Sequence, residues 1–139
     1  MSMIDTATTE TLSQFLDVDV ARYKLIAANM ANIDTPGYRA RDLDFRAELR
    51  RAAARAGSER FGAEQFQAEQ DGNFVYAAYT PVAKRVRGLL ERPDGNNVSL
   101  ERESLLLAEA QMNYNLGIQL VKDEFHTISQ AINSGGTSS

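Results

Sequence analysis

The stretch that decides the fold is Ala28-Asn29-Met30-Ala31-Asn32-Ile33-Asp34-Thr35-Pro36-Gly37-Tyr38, which follows a helical pattern and precedes a segment of different character. Pro36 disfavours the helical conformation at Thr35, and Pro-Gly suits the two central positions of a type II turn, where Gly37 takes a positive φ without steric cost. The sequence therefore predicts that a first helix ends near Ile33 or Asp34. Asparagine, aspartate and threonine side chains around the turn are expected to bind freed backbone groups.

Upstream of this turn, residues 8–33 carry an apolar stripe that steps alternately by four and three residues, which is heptad spacing. Asp19 interrupts the stripe, and Phe15 and Val18 widen the apolar face, as is typical of a helix that contacts more than one neighbour. An ordinary amphipathic core helix is the alternative interpretation. The positions of this first predicted seam are Leu12, Leu16, Tyr23, Ile26, Met30 and Ile33.

A second heptad stripe begins after Val98, where Ser99 is a suitable N-cap and Glu101 and Glu103 place negative charge in the first turn. Ser104 and Gln111 are polar at stripe positions, so we expect them to be buried residues that fix register. Gly117 is expected to weaken the helix by about 1 kcal/mol relative to alanine. The apolar positions of this second predicted seam are Leu100, Leu107, Tyr114, Ile118, Val121, Phe125, Ile128 and Ile132.

Between the stripes, residues 39–60 contain seven arginines, and residues 45–56 are predicted to form a short helix capped by Asp44 and closed by Gly57. Asp71-Gly72 predicts a β-hairpin that pairs residues 61–68 with residues 73–80. Residues 82–90 are expected to be extended or loop, and residues 93–97 form a second turn cluster. We expect the basic segment to pair with acidic neighbours in an assembly, and residues 1–20 of an adjacent subunit are one hypothesis.

The predicted fold is mainly α, with two long terminal helices that pack as an antiparallel coiled coil around a short turn-rich middle containing a small β-hairpin. The expected division is an N-terminal core helix at 1–34, a middle region at 35–97, a C-terminal core helix at 98–134 and a flexible tail at 135–139, within one structural domain. Helices of this length cannot bury both faces in one small subunit. The leftover apolar stripe predicts self-association or insertion into a larger bundle.

The composition and charge of the chain exclude or disfavour several classes of function. The 139 residues include no cysteine, which excludes disulfides, thiolate metal sites and cysteine nucleophiles. A net charge of −4, without a series of stacking aromatic residues, makes no case for nucleic-acid binding. Residues 1–19 carry only acidic charges and no continuous apolar run, so we expect no cleaved signal peptide. His126 is the single histidine and lacks partners for a triad or a metal site, so no catalytic residue, cofactor site or metal site is expected.

The turn carries a resemblance to a known family. Residues 31–38, Ala-Asn-Ile-Asp-Thr-Pro-Gly-Tyr, resemble the A-N-x-x-T-P-G-Y signature of bacterial flagellar axial proteins, the subunits of the rod, the hook and the hook-filament junction. Residues 39–45 and 95–103 resemble the proximal-rod branch of that family, and the FlgC-type rod subunit is the nearest rival. The motif residues that carry the resemblance are Ala31, Asn32, Thr35, Pro36, Gly37 and Tyr38.

This resemblance implies a structural subunit of the periplasmic rod of the basal body, exported by the flagellar type III apparatus and polymerising through its terminal helices. It also implies several partners: copies of the same chain, FlgC-type and FlgF-type rod subunits, the rod-base protein FliE, and the export gate during secretion. Neither nucleic acid nor a small-molecule substrate is implied.

Two other function classes are alternatives. A soluble helical adaptor, or an export-chaperone-like module, could use the same stripes to hold a partner helix. A muramidase needs two carboxylates flanking a cleft, whereas the acidic residues of the last helix follow a pattern typical of solvated faces. Those residues are Glu101, Glu103, Glu109, Asp123 and Glu124.

Overall fold

The computed structural model describes residues 2–60 and 80–135 and consists mainly of helix. The elements in chain order are α1 (Ser2–Ala31), β1 (Arg41–Asp42), α2 (Phe45–Arg60), β2 (Lys84–Arg85) and α3 (Leu100–Gly135). With 30 and 36 residues, α1 and α3 are about 45 and 54 Å long at a rise of 1.5 Å per residue. In the described part of the chain, no helix is both long enough and apolar enough to cross a membrane.

Helices α1 and α3 pack against each other between residues 15–29 and 103–117, and they run antiparallel. Leu16 lies beside Gly117, Arg22 binds Glu109, and Asn29 binds Glu103, so the contact moves towards the N-terminus of α3 as α1 advances. The predicted antiparallel pairing of the terminal helices is therefore confirmed.

The buried side of α3 differs from the predicted one. Glu103, Ala110 and Gly117, seven residues apart, are buried, whereas Ser104 and Gln111 are exposed. The expectation that Ser104 and Gln111 are buried register residues is wrong for the single chain. Small residues at 110 and 117 let the two helices approach closely, and a Cβ on Gly117 would lie 2.7 Å from Cδ2 of Leu16.

Helix α2 packs on a different side of α1. Val18, Leu43 and Ala52 are buried together there, and the half-buried Ala21, Leu25 and Phe45 surround them. The rings of Phe15 and Phe45 meet edge to face with centroids 5.3 Å apart, which is a favoured aromatic geometry. This small cluster positions the middle region against the long helix pair.

The N-caps of α2 and α3 are confirmed. Asp44 Oδ1 accepts a hydrogen bond from the backbone N–H of Ala47, and Ser99 Oγ accepts one from the N–H of Arg102. The predicted end of α2 is wrong, because the helix runs through Gly57 to Arg60. Glycine ends a helix when it takes the left-handed conformation, and the described glycines with positive φ are Gly37, Gly88 and Gly95.

Strands β1 and β2 form an antiparallel two-stranded sheet in which Arg41 faces Arg85 and Asp42 faces Lys84. Strand β2 falls within residues 82–90, which were expected to be extended or loop. The predicted hairpin lies outside the described residues, apart from Thr80. The predicted tail at 135–139 also lies outside them, except for Gly135, which is the last residue of α3.

The end of α1 is two or three residues earlier than predicted. The helix ends at Ala31, and residues 32–37 continue as turns. The N–H of Asn32 donates to the carbonyl oxygens of Ala28 and Asn29, and its Nδ2 donates to the carbonyl oxygen of Ala28 at 2.8 Å. Asn32 therefore draws the last carbonyls into a local cap, which ends the regular helix before the proline.

Candidate assembly surfaces

The two turn clusters of the sequence pack directly on each other. Gly37 has a φ of 73°, and the N–H of Tyr38 donates to the carbonyl oxygen of Thr35 at 3.2 Å, which confirms the type II turn. The N–H of Gly37 donates to the carbonyl oxygen of Asp94 at 2.8 Å, and a Cβ on Gly95 would lie 3.4 Å from Cα of Gly37. We call these packed segments, residues 29–41 and 92–97, the turn clasp.

Two adjacent asparagines of the segment 92–97 bind the other segment of the clasp. Asn96 is fully buried, and its Nδ2 donates to the carbonyl oxygens of Asn32 at 3.0 Å and Thr35 at 2.9 Å. Asn97 Oδ1 accepts from the N–H of Ala40 at 2.7 Å. The side chains of the second turn therefore bind backbone groups on both sides of the first turn.

A third asparagine joins the clasp to the helix pair. Asn29 is 1% exposed, and its Oδ1 accepts from the N–H of Arg41 at 3.0 Å while its Nδ2 donates to the carbonyl oxygen of Arg41 at 2.7 Å. The same Nδ2 donates to Oε2 of Glu103 at 3.0 Å, and Oδ1 accepts from the hydroxyl of Tyr38 at 3.3 Å. One buried carboxamide thus connects α1, β1 and α3.

Beside Asn29, five charged side chains form a continuous network, and Arg22 connects Glu109 to it. Asp42 accepts from Nε of Arg22 and from Nη2 of Arg102, both at 3.2 Å. Arg102 also donates to Oε1 of Glu103 at 2.6 Å. Burial alone lowers the pKa of Arg22, but its hydrogen bonds and ion pairs with Asp42 and Glu109 outweigh burial and raise it.

The predicted exposure of Glu103 is wrong. This residue was expected on a solvated face of the last helix, but it is fully buried and paired with Arg102 and Asn29. Its position one turn inside α3 also places its charge near the positive end of the helix dipole. By contrast, Glu101 is exposed, and hydrogen bonds from its own backbone N–H and the Ser99 hydroxyl lower its pKa.

All six motif residues lie within the clasp. Among them, the Thr35 hydroxyl donates to Oδ1 of Asn32 at 3.1 Å. Ala31 is the exposed last residue of α1. Sequence reasoning did not assign roles to Asn96 and Asn97, although both lie in the 95–103 stretch that carried part of the resemblance.

The first predicted seam is divided between buried and exposed positions. Ile26 is buried, Tyr23 is 44% exposed, and the other four positions are half-buried. In the second predicted seam, four positions are half-buried and four are exposed. The half-buried ones are Leu107, Ile118, Val121 and Ile128, and the exposed ones are Leu100, Tyr114, Phe125 and Ile132.

Helix α3 also carries an exposed apolar row that sequence reasoning missed. Leu105 and Met112 are 70% and 68% exposed, and Leu116 and Leu120 follow on the same side at spacings of four. We call Leu105, Met112, Leu116 and Leu120 the outer stripe. Their helical spacing was a usable signal, but the stronger heptad seam on the opposite face of the helix obscured it.

The basic segment forms some of its ion pairs within the chain, and its expected pairing with acidic neighbours in an assembly stays a prediction. Arg39 binds Glu91 through two hydrogen bonds, and Arg51 binds Glu48 at 2.7 Å. In the sheet, Arg41 and Arg85 lie opposite each other and both are exposed. Because both arginines are exposed, the pair places a concentrated positive charge on the surface. Two like charges in directly opposite positions repel each other, so the pair is unfavourable in the single chain.

A cavity of about 490 Å³ opens between α1 and α3. Asp19, which interrupted the first stripe, is 1% exposed in its wall, and its Oδ1 has no hydrogen-bond partner. Burial raises the pKa of Asp19 from 3.8 to about 6. The negative charge of Glu109 also raises this pKa, whereas the positive charge of Arg22 lowers it. The residues that line the cavity are Asp19, Val20, Tyr23, Gln111, Tyr114 and Asn115.

His126 is exposed on α3. Among residues 2–60 and 80–135, no group of three or more histidine, aspartate or glutamate side chains is arranged to hold a metal ion. What the geometry does bring together is a turn clasp that orients two long helices, and an apolar row on the outer side of one of them. This combination defines a class: elongated helical subunits built for packing against other chains.

Comparison with known proteins specifies this class. The chain is 31% identical over 125 residues to the flagellar basal body rod protein FlgB of Cereibacter sphaeroides, covering 86% of this chain and 89% of the relative. It is 30% identical over 122 residues to FlgB of Borrelia hermsii, covering 86% and 90%. It is 29% identical over 122 residues to FlgB of Salmonella typhimurium, covering 86% and 88%. No protein-family model matches the chain.

The chain belongs to the FlgB family of flagellar basal body rod proteins. The resemblance to the proximal-rod branch of the flagellar axial proteins is thereby confirmed, and the aligned region includes most of the chain. Its relatives are named as flagellar basal body rod proteins, which places the family in the rod of the flagellar basal body.

Proposed function

We propose that this chain is a structural subunit of the proximal part of the rod, that the flagellar type III apparatus exports it without cleavage of a signal peptide, and that it polymerises through its terminal helices. The observation that carries the polymerisation step is the outer stripe of α3. Leu105 and Met112 are more than two thirds exposed in the single chain. A row of large apolar side chains on a long helix is unfavourable in water and is covered when helices from other subunits pack on it.

The turn clasp supports this role by fixing the angle at which the middle region leaves the helix pair. Its hydrogen bonds involve buried asparagine side chains and backbone groups. Such a network is rigid because each buried polar group has a partner only in this arrangement. A rigid exit direction lets every copy present the same surfaces to its neighbours.

The proposed partners are copies of the chain, FlgC-type and FlgF-type rod subunits, the rod-base protein FliE and, during secretion, the export gate. The predicted seam residues that remain exposed, such as Phe125 and Ile132, extend the packing surface beyond the outer stripe. We assign the subunit no catalytic role, cofactor, nucleic acid or small-molecule substrate, because subunit packing alone accounts for the surfaces described.

The test replaces the chromosomal gene by variants and examines isolated basal bodies. Met112→Asp with Leu116→Asp places two charges on the outer stripe, and Gln119→Asp with Gln130→Asp is the matched control at exposed polar positions of α3. We expect the stripe variant to retain its helical circular dichroism but to be missing from basal bodies, with loss of swimming. The control should be incorporated normally.

A deletion strain separates the rod subunit from a soluble adaptor. If the chain is found only in the cytoplasm, and rods form normally without it, the adaptor interpretation holds and the proposed function is wrong. Recovery of the wild-type chain in isolated basal bodies, with loss of rods on deletion, supports the proposal.

A further inference from the structure

The cavity at Asp19 is an incomplete site within the single chain. Asp19 is 1% exposed, yet its Oδ1 has no hydrogen-bond partner in the wall of the cavity between α1 and α3. Arg22, the basic residue whose charge acts on it, uses its own donors on Asp42 and Glu109. A buried carboxylate oxygen without a donor is unfavourable, so the site lacks a cationic or hydrogen-bonding group.

The other lining residues fit an arginine side chain. Tyr23 and Tyr114, both nearly half exposed, supply aromatic surfaces on which a guanidinium can stack. Gln111 and Asn115 supply carboxamide oxygens that accept hydrogen bonds from its remaining N–H groups. A carboxylate with stacking and accepting neighbours suits a planar cation that has five donors.

The same chain carries exposed arginines on another side. Strand alternation turns Asp42 inward, where it binds Arg22 and Arg102, and therefore turns Arg41 outward. Arg85 is the cross-strand partner of Arg41 and lies on the same outward face. Both arginines are exposed, and neither forms an ion pair within residues 2–60 and 80–135.

The cavity and this arginine pair occupy different surfaces of the chain, because Arg41 and Arg85 are not among the residues that line the cavity. Successive helical residues are separated by about 100° around the axis. Ala21 and Leu25 of α1 face α2, whereas Val20 and Tyr23 of the cavity lie on the far side of the helix. A contact that joined the two surfaces would therefore connect different patches of two copies.

We propose that the Asp19 cavity binds an arginine of a second copy of this chain, supplied by the Arg41–Arg85 pair. The inference rests on the proposed function and deepens it by naming one contact in the polymer. Different patches meet in this contact, so it is heterologous, and repetition of a heterologous contact generates a helical array. Acidic charge favours the approach, because residues 1–20 of the receiving copy contain four acidic residues and no basic one, Asp19 among them.

Site-specific crosslinking tests the contact. Val20 lines the cavity and is 37% exposed, so it is replaced by the photoreactive p-benzoylphenylalanine in cells that also make an isotope-labelled wild-type chain. In isolated basal bodies, we expect crosslinks to residues 39–42 or 84–87 of the labelled copy. The same photoreactive residue at Met112, on the outer stripe, should not give those crosslinks.

Crosslinks from Val20 to another protein, to a different segment of the chain, or to nothing overturn the inference while leaving the proposed function intact. The same holds if Met112 gives the same products as Val20. Absence of the wild-type chain from basal bodies would overturn the proposed function and, with it, this inference.

Charge reversal provides the second measurement. Asp19→Arg should cause loss of the chain from basal bodies, and combining it with Arg41→Asp and Arg85→Asp should restore incorporation. The matched control combines Asp19→Arg with Arg46→Asp and Arg50→Asp, two exposed arginines of α2, and should not restore it. Asp19→Asn keeps the size of the side chain and should reduce incorporation even if Asp19→Arg fails to fold. Normal incorporation of Asp19→Asn would overturn the inference.

Discussion

The carboxamide of Asn29 binds the backbone of Arg41 as a neighbouring β-strand would, accepting from its N–H at 3.0 Å and donating to its carbonyl oxygen at 2.7 Å. The last turn of α1 therefore acts as a pairing partner for the chain that follows the Pro-Gly turn. Because the same carboxamide reaches Glu103 of α3, the position of β1 and the packing of the two long helices depend on one side chain.

Replacement of Asn29 tests this dependence. Asn29→Ala removes four hydrogen bonds from a buried site, and we expect the free energy of unfolding to fall by roughly 2–4 kcal/mol. Asn133→Ala, at an exposed position of α3, should change it by less than about 0.5 kcal/mol. Urea denaturation of the purified chain measures both, and an equal effect of the two variants would show that Asn29 is not a structural centre.

Gly37 and Gly88 form a matched pair for testing the clasp. Both have positive φ, 73° and 78°, and a Cβ at either would meet no atom within 4 Å. Valine at each should therefore impose a similar backbone strain of about 1–3 kcal/mol. Only Gly37 lies in the clasp, so Gly37→Val should impair incorporation into basal bodies more than it impairs solubility. Gly88→Val should be incorporated better. A motile Gly37→Val strain with normal rods would contradict a role for this turn in assembly.

Gly117 sets the distance between α1 and α3. A Cβ there would lie 2.7 Å from Cδ2 of Leu16 and 3.2 Å from the ring of Phe15, whose position is held by Phe45. We expect Gly117→Ala to destabilise the wild-type chain, despite a gain in helix propensity of about 1 kcal/mol. In a Leu16→Ala background, the same change should be less destabilising, because the closest contact is gone and only the Phe15 ring remains near the Cβ. Thermal denaturation of the four chains measures the effect in each background, and an equal effect in both would contradict the close packing.

The raised pKa of Asp19 should make the free energy of unfolding depend on pH. Its pKa of about 6 in the folded chain exceeds the ordinary value of 3.8, so the folded state holds this proton more tightly than the unfolded state. The resulting stabilisation is fully present below about pH 4 and is lost as the pH rises to about 6, amounting to at most ~3 kcal/mol. The groups acting on Asp19 include Arg22, which opposes the shift, and Glu109, which adds to it.

The matched variant for this prediction is Asp19→Asn, which cannot titrate. Its advantage over the wild-type chain in free energy of unfolding should increase between pH 4 and pH 6 and then level off. Urea denaturation at several pH values measures this difference, and a difference that stays constant with pH would contradict a raised pKa. If Asp19 binds a neighbouring arginine, the variant that stabilises the single chain will also assemble less well.

The helices and caps could be predicted from the sequence because local rules determine them. Asp44 and Ser99 have side chains that suit an N-cap, and Pro36 with Gly37 encodes a type II turn. Long heptad stripes likewise predicted the two terminal helices and their antiparallel packing. These features depend on neighbours in the chain or on simple periodicity.

The buried side of α3 could not be predicted in the same way. Periodicity favoured the large apolar residues, whereas close approach of two helices selected Ala110 and Gly117, and Glu103 was buried because Arg102 and Asn29 lie beside it. Asn96 shows the same limit, since its partners Asn32 and Thr35 are some sixty residues away in the chain. Contacts of this kind depend on tertiary structure that local patterns do not encode.

A rod subunit of this kind should have its outer stripe covered by helices of neighbouring subunits. The most direct measurement is a cryo-electron microscopy map of the intact basal body in which the side chains of this subunit are visible. In this map, we expect Leu105, Met112, Leu116 and Leu120 of α3 to be buried against helices of other subunits. A map in which this row faces solvent, or in which the chain is absent from the rod, would contradict this expectation.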